Sequence, residues 1–222
     1  FWLEMLRLKR NYGDTCNCIW KQPDMPTLPK LVFASHNAHK VVEMRELLKG
    51  MYRIEGLSDI GFHEALPEPF DTFEANALSK ATHVFKNTGL PCFADDSGLV
   101  VDALDGRPGV LSARYAGLHK SDSENVAKVL SELAGQEHRF ARFVAVIAFR
   151  WSASDFFSCR GEVKGSISLQ PEGLGGFGYD PVFIPAGFES TFGILPASLK
   201  NRISHRARAM EKFLEFLPSI TI

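Results

Sequence analysis

Apolar positions along this chain recur in two periods. Leu31-Val32-Phe33-Ala34 is a short continuous apolar run, the pattern of a buried strand. A polar stretch follows, Ser35-His36-Asn37-Ala38-His39-Lys40. Then Val41, Met44, Leu47 and Leu48 fall at helical spacing, with Gly50 as a stop. Strand, polar loop, helix is the opening of an α/β unit. Asp71-Thr72-Phe73-Glu74 reads as a capping box with Asp71 as cap. The helix behind it keeps Phe73, Ala77, Leu78, Ala81, Val84 and Phe85 on one broad face and ends at Asn87-Thr88-Gly89. Ser121-Asp122-Ser123-Glu124 predicts a second box, opening a helix with Val126, Val129, Leu130 and Leu133 inside. Residues 139–149 suit a central strand, and residues 156–160 and 163–169 continue an antiparallel ribbon. The glycine-rich residues 172–180 form a loop, Val182-Phe183-Ile184 a short strand, and residues 199–217 a helix. βα units joined to an antiparallel ribbon predict an α/β fold with a mixed sheet, in two lobes around a cleft.

Bulk properties narrow the class. A chain of 222 residues, 45% hydrophobic and 23% charged, can bury a full core. A net charge of −1 argues against a basic surface for nucleic acid. No apolar run approaches the roughly 20 residues of a membrane span. Cys16, Cys18, Cys92 and Cys159 form neither a disulfide framework nor a zinc pattern, which favours a reducing cytoplasm. Residues 1–29 mix Trp2, Leu3, Leu6 and Trp20 with Lys and Arg in no period, and Pro23, Pro26 and Pro29 punctuate them. They read as an N-terminal extension, with a natural start near Met25, ahead of one two-lobed domain at 30–222.

The strongest chemical signal is Phe93-Ala94-Asp95-Asp96-Ser97-Gly98, placed where the pattern predicts the end of a buried strand. Alternation would turn one carboxylate to the core and the other to an opening. A buried acid is costly unless paired, protonated or metal-bound, so the cluster suits a cation and phosphate site; an acidic turn is the plainer alternative. Lys40 can meet a phosphate beside a helix N-terminus, or be one solvated lysine among many. Phe177-Gly178-Tyr179-Asp180 offers aromatic faces and an acceptor for a purine, or two core plugs and a turn cap. Arg206 can clamp a phosphate, and His205 can be an interior histidine. Ser97 lacks the Gly-x-Ser-x-Gly elbow, which counts against a nucleophilic serine.

Taken together these segments resemble the inosine triphosphate pyrophosphatases, a family acting on non-canonical purine nucleoside triphosphates. The markers run in family order from about Leu31 to Leu217. They are Ser35-x-Asn37-x-x-Lys40, Asn76-Ala77 with Lys80-Ala81, Ala94-Asp95-Asp96-Ser97-Gly98-Leu99, Pro108-Gly109-Val110 with Ser112-Ala113-Arg114-Tyr115, Phe177-Gly178-Tyr179-Asp180-Pro181, and Lys200 with Ser204-His205-Arg206. The resemblance implies an elongated mixed sheet with flanking helices, two lobes around a deep cleft, and a homodimer. It implies Mg²⁺-dependent hydrolysis of ITP, dITP and XTP to the monophosphate and pyrophosphate. It makes Asp96 the catalytic base and a metal ligand, Asp95 its supporting neighbour, and Glu68 a second metal carboxylate. Ser35, His36, Asn37, Ala38, His39 and Lys40 would form the triphosphate loop. Ser97, Lys200, His205 and Arg206 would contact substrate, and Phe177, Gly178, Tyr179 and Asp180 would hold the base. Three positions depart from the family pattern: His39 where glycine is frequent, Pro69-Phe70 after Glu68 where Thr-Gly is common, and Ala207 for a frequent glycine. A pyrophosphatase of the related Maf-like group and a non-catalytic nucleotide sensor are the rival readings.

Overall fold

The computed structural model describes residues 28–119 and 121–219. The expectations for the N-terminal extension, Met25, Cys16 and Cys18 therefore lie outside the described residues. Among the described residues six strands form one mixed sheet in the order β2-β1-β3-β4-β5-β6. β1 (Lys30–Phe33) lies parallel to both β2 (Arg53–Gly56) and β3 (Cys92–Val101). β3, β4 (Phe140–Arg150), β5 (Phe156–Ile167) and β6 (Phe183–Pro185) follow antiparallel. β3 and β4 pair over all ten residues of β3, so the acid cluster sits in mid-strand rather than at a strand end. Pairing with β4 likewise fuses the two predicted pieces of the ribbon into the single strand β5. β2, with the sequence Arg-Ile-Glu-Gly, carries too little pattern to have been foreseen.

Caps set the helix ends. α1 (Ala38–Leu47) begins three residues earlier than its apolar spacing predicts, because Asn37 accepts the Lys40 N–H at 3.1 Å. In α2 (Phe73–Thr88) the cap is Thr72, one residue beyond Asp71, accepting from Ala75 N–H at 3.2 Å. Ser121 caps α3 (Asp122–Glu132) as predicted. The predicted helix over 199–217 is two helices, α4 (Ala197–Ile203) and α5 (His205–Phe216). Ser204 breaks it in extended geometry, and its hydroxyl accepts the Ala207 N–H at 3.2 Å. That break sets His205 and Arg206 at the start of a new helix.

Side chains alternate across β3, so its odd and even residues face different helices. Phe93 packs with Phe33, Met44, Phe149 and Phe213 beneath α1 and α5. Leu99 and Val101 belong to a second core with Val129, Leu133, Phe143, Phe183 and Phe192. Asp95 and Ser97 lie on that same face, between the two cores. On the other face Ala94 and Val100 meet apolar residues of α2, and Asp96 lies between them. Two glycines permit close approaches. A Cβ on Gly98 would stand 2.4 Å from the Gly109 carbonyl oxygen, and one on Gly161 would stand 2.3 Å from the α5 backbone. No helix among the described residues is long and apolar enough to cross a membrane.

Candidate active site

Asp95 is the hub of the odd face. Its Oδ2 accepts from Lys40 Nζ at 2.8 Å, Arg206 Nε at 3.1 Å and the Ser97 hydroxyl at 3.2 Å. Its Oδ1 is buried without a partner. Burial alone would raise its pKa, but Lys40 and Arg206 outweigh burial and hold the carboxyl well below its ordinary range. Burial lowers the Lys40 pKa despite Asp95 beside it. Arg206 also donates to Ser97 Oγ at 2.9 Å and to Glu43 Oε2 at 2.7 Å. Glu43 pairs in turn with Lys200 at 2.8 Å, and Lys200 with Asp180 Oδ2 at 2.6 Å. One ionic chain therefore links the middle of β3 to the 177–180 loop. Glu43 was not singled out from sequence, though it lies three residues after Lys40 on one helix face.

Asp96 has different company. Lys80 of α2 donates to Asp96 Oδ1 at 2.8 Å, to Glu68 Oε1 at 3.0 Å and to the Asp95 carbonyl at 2.7 Å. Arg114 holds the other Glu68 oxygen at 3.0 Å. Asp96 Oδ2 is buried and has no partner. Burial raises the Asp96 pKa, and Lys80 and Lys40 offset this only in part. Burial also acts upward on Glu68, but Lys80 overcomes it and lowers the pKa. The Asp95 side chain is fully buried and that of Asp96 nearly so, and each lies against a helix that supplies a lysine. No three His, Cys, Asp or Glu side chains converge as a metal cage among the described residues. Two carboxylates on one ammonium, one with a bare oxygen, still fit a hard divalent cation, which is often held by one or two carboxylates plus substrate phosphates.

The 177–180 loop separates its two aromatics. Tyr179 is buried in the second core, its hydroxyl donating to the Ser112 carbonyl at 2.9 Å. Phe177 stays partly exposed and stacks on His39, with centroids 5.3 Å apart. Asp180 Oδ2 also accepts the Phe177 N–H at 2.9 Å, so Asp180 caps the turn as well as pairing with Lys200. Asp122 accepts the Gly178 N–H at 2.7 Å. His205 stacks on Phe143, and its buried Nδ1 has no partner. Burial beside Arg206 and Lys200 depresses its pKa well below the ordinary value, so the ring is neutral.

A cavity of about 100 Å³ gathers Asn37, Lys40, Ser97, Phe177, Gly178, Tyr179, Asp180, Lys200, His205 and Arg206. Ser35, His36, Ala38 and His39 lie outside its lining, as do Asp95, Asp96 and Glu68. Ser35 Oγ accepts the Asn37 N–H at 3.2 Å, and the His36 ring bonds the Glu64 carbonyl at 2.8 Å. These residues shape the start of α1. A larger hollow of about 1120 Å³ runs along β2, lined by Lys30, Arg45 and Arg53 among others. It holds none of the predicted site residues.

A charged seam between two cores of one mixed sheet defines an α/β protein with an ionic cleft. The chain belongs to the Ham1 family, whose model matches residues 31–216. It is similar to a dITP/XTP pyrophosphatase of Porphyromonas gingivalis, 48% identical over 86% of this chain and 98% of that protein. A dITP/XTP pyrophosphatase of Bacillus subtilis is 44% identical, over 87% and 99%. Among solved structures, a HAM1 protein from Coxiella burnetii superposes with a TM-score of 0.78 at 38% identity, covering 87% of this chain and 100% of that one.

Proposed function

We propose that this chain hydrolyses the non-canonical purine nucleotides ITP, dITP and XTP to the monophosphate and pyrophosphate, with Mg²⁺ as the cation. The observation that carries the reading is the Asp96 carboxylate: buried, raised in pKa and with one oxygen free, one strand position from an ionised Asp95 clamped by Lys40 and Arg206. Such opposed environments separate a proton acceptor from an electrostatic support. The similar proteins named dITP/XTP pyrophosphatase support the same reaction.

In this reading Asp96 and Glu68 hold the cation, which neutralises phosphate charge when bound. Asp96 accepts a proton from the water that attacks the α-phosphorus. Lys40 and Arg206, already aimed by Asp95, take up charge on the phosphate oxygens. Ser97 Oγ, joined to both Asp95 and Arg206, fixes their relative position. At the far end Asp180 and His205 read the base. A 6-oxo purine offers an acceptor at O6 and a donor at N1, the reverse of adenine. A neutral His205 with an unpartnered Nδ1 and an acidic Asp180 suit that edge. The reading also places the protein in the cytoplasm as a homodimer, with residues 30–222 as one domain. A panel of nucleoside triphosphates with Mg²⁺ tests the function. The reading expects ITP and XTP well ahead of ATP, GTP and the pyrimidines, with IMP and pyrophosphate as products of ITP. IDP and orthophosphate as first products would overturn it, and a pyrimidine preference would favour the Maf-like rival.

A further inference from the structure

Phe177 stands between two hollows. One is the cavity of about 100 Å³ that reaches Asp180, His205 and Arg206. The other, of about 340 Å³, is lined by Val42, Glu46, Phe192 and Leu195, and by His39 and Phe177 themselves. The His39 imidazole lies on the Phe177 ring, with 16° between planes. Lys200 Nζ is 4.8 Å and Arg206 Cζ 5.1 Å from the centroid of the same ring. Backbone motion is restrained here, because Asp180 holds the Phe177 N–H and Asp122 the Gly178 N–H. His39 is fixed too, in the first turn of α1 behind the Asn37 cap. The freedom left to Phe177 is rotation of its ring. The smaller cavity is well below the roughly 300–1,000 Å³ of sites that enclose a small organic ligand.

We propose that His39 is a positioning residue whose stack holds the Phe177 ring across the base pocket, so that a purine enters only when the ring turns off the imidazole. The adjoining hollow, with Val42, Phe192 and Leu195 in its wall, receives the displaced ring. The inference rests on the nucleotide reading above. Its consequence is quantitative: a nucleotide that binds only the open form shows an affinity reduced by the open fraction. Loss of one aromatic stack raises that fraction by about three- to tenfold.

The test is steady-state turnover of ITP with Mg²⁺ by five proteins: wild type, His39→Ala, His39→Phe, Phe177→Leu and the double variant His39→Ala with Phe177→Leu. His39→Ala should lower KM by about three- to tenfold, with the change in KM rather than kcat. His39→Phe keeps an aromatic face and should keep KM within about twofold of wild type. In the Phe177→Leu background the His39→Ala effect should vanish, as a double-mutant cycle requires of a direct contact. An unchanged or raised KM for His39→Ala, or an equal drop with Leu at 177, overturns the gate alone while wild-type turnover stands. A wild-type protein inert toward ITP overturns both the gate and the function it rests on.

Discussion

The two faces of β3 treat adjacent carboxylates in opposite ways. Asp95 meets two cations and a hydroxyl on one oxygen and stays ionised far into acid. Asp96 shares a single ammonium with Glu68, keeps one oxygen bare, and is pushed toward the protonated form. Both side chains are buried, so burial does not separate them; the number and sign of neighbours does. One strand thus carries a clamped carboxylate and one with a free oxygen, one residue apart, and alternation sets them against different helices.

The sharpest way to break this contrast is to remove the charges one at a time. Asp96→Asn should fold normally yet lose roughly 10²- to 10⁴-fold in kcat, measured by pyrophosphate release, as expected of a general base. Near-normal turnover would move the chemistry elsewhere. Asp95→Asn should act mainly on the fold. It strands Lys40 and Arg206 in a buried site, and urea unfolding should show a loss of about 3–5 kcal/mol. A variant as stable as wild type would remove the clamp from the account.

Asp180→Ala should erode the ITP-over-ATP ratio of kcat/KM by about tenfold, the worth of one well-placed polar contact. An unchanged ratio would leave Asp180 only its turn-capping role. The smallest effect is on pH. Protonated Asp96 cannot accept a proton, so kcat/KM should fall as pH drops through its raised pKa. Lys80 opposes that rise, so Lys80→Gln should move the acid limb to higher pH. A limb that stays in place would show that Asp96 is not the titrating group. The stability linked to Asp95 has the other sign pattern. Its folded pKa is depressed, so that stability is present above the ordinary carboxylate range and is lost as pH falls below it.

Much of this architecture was legible in the sequence because it rests on local rules. Ser121 satisfies nearby backbone N–H groups, and α2 carries its apolar face at helical spacing. The ordered motifs pointed to Lys40, Asp95, Lys200 and Arg206, which the fold brings into one ionic chain, and to Lys80 and Asp96, which pair in a second. The misses are of longer range. Whether a strand ends at Asp95 or runs through it depends on β4, some fifty residues on. Ser204 breaks a helix whose apolar spacing continues on both sides. Glu43 acquires its role only when Lys200 and Arg206 fold over α1. The two aromatics of the 177–180 loop look equivalent in sequence, yet Tyr179 is buried in the core and Phe177 stays partly exposed.

The account stands most directly on where water attacks. Turnover of ITP in ¹⁸O-enriched water separates the alternatives by mass spectrometry of the products. Attack at the α-phosphorus, with Asp96 taking the proton, puts the label in IMP and leaves pyrophosphate unlabelled. Label in pyrophosphate, with unlabelled IMP, would place the attack at the β-phosphorus and contradict the assignment.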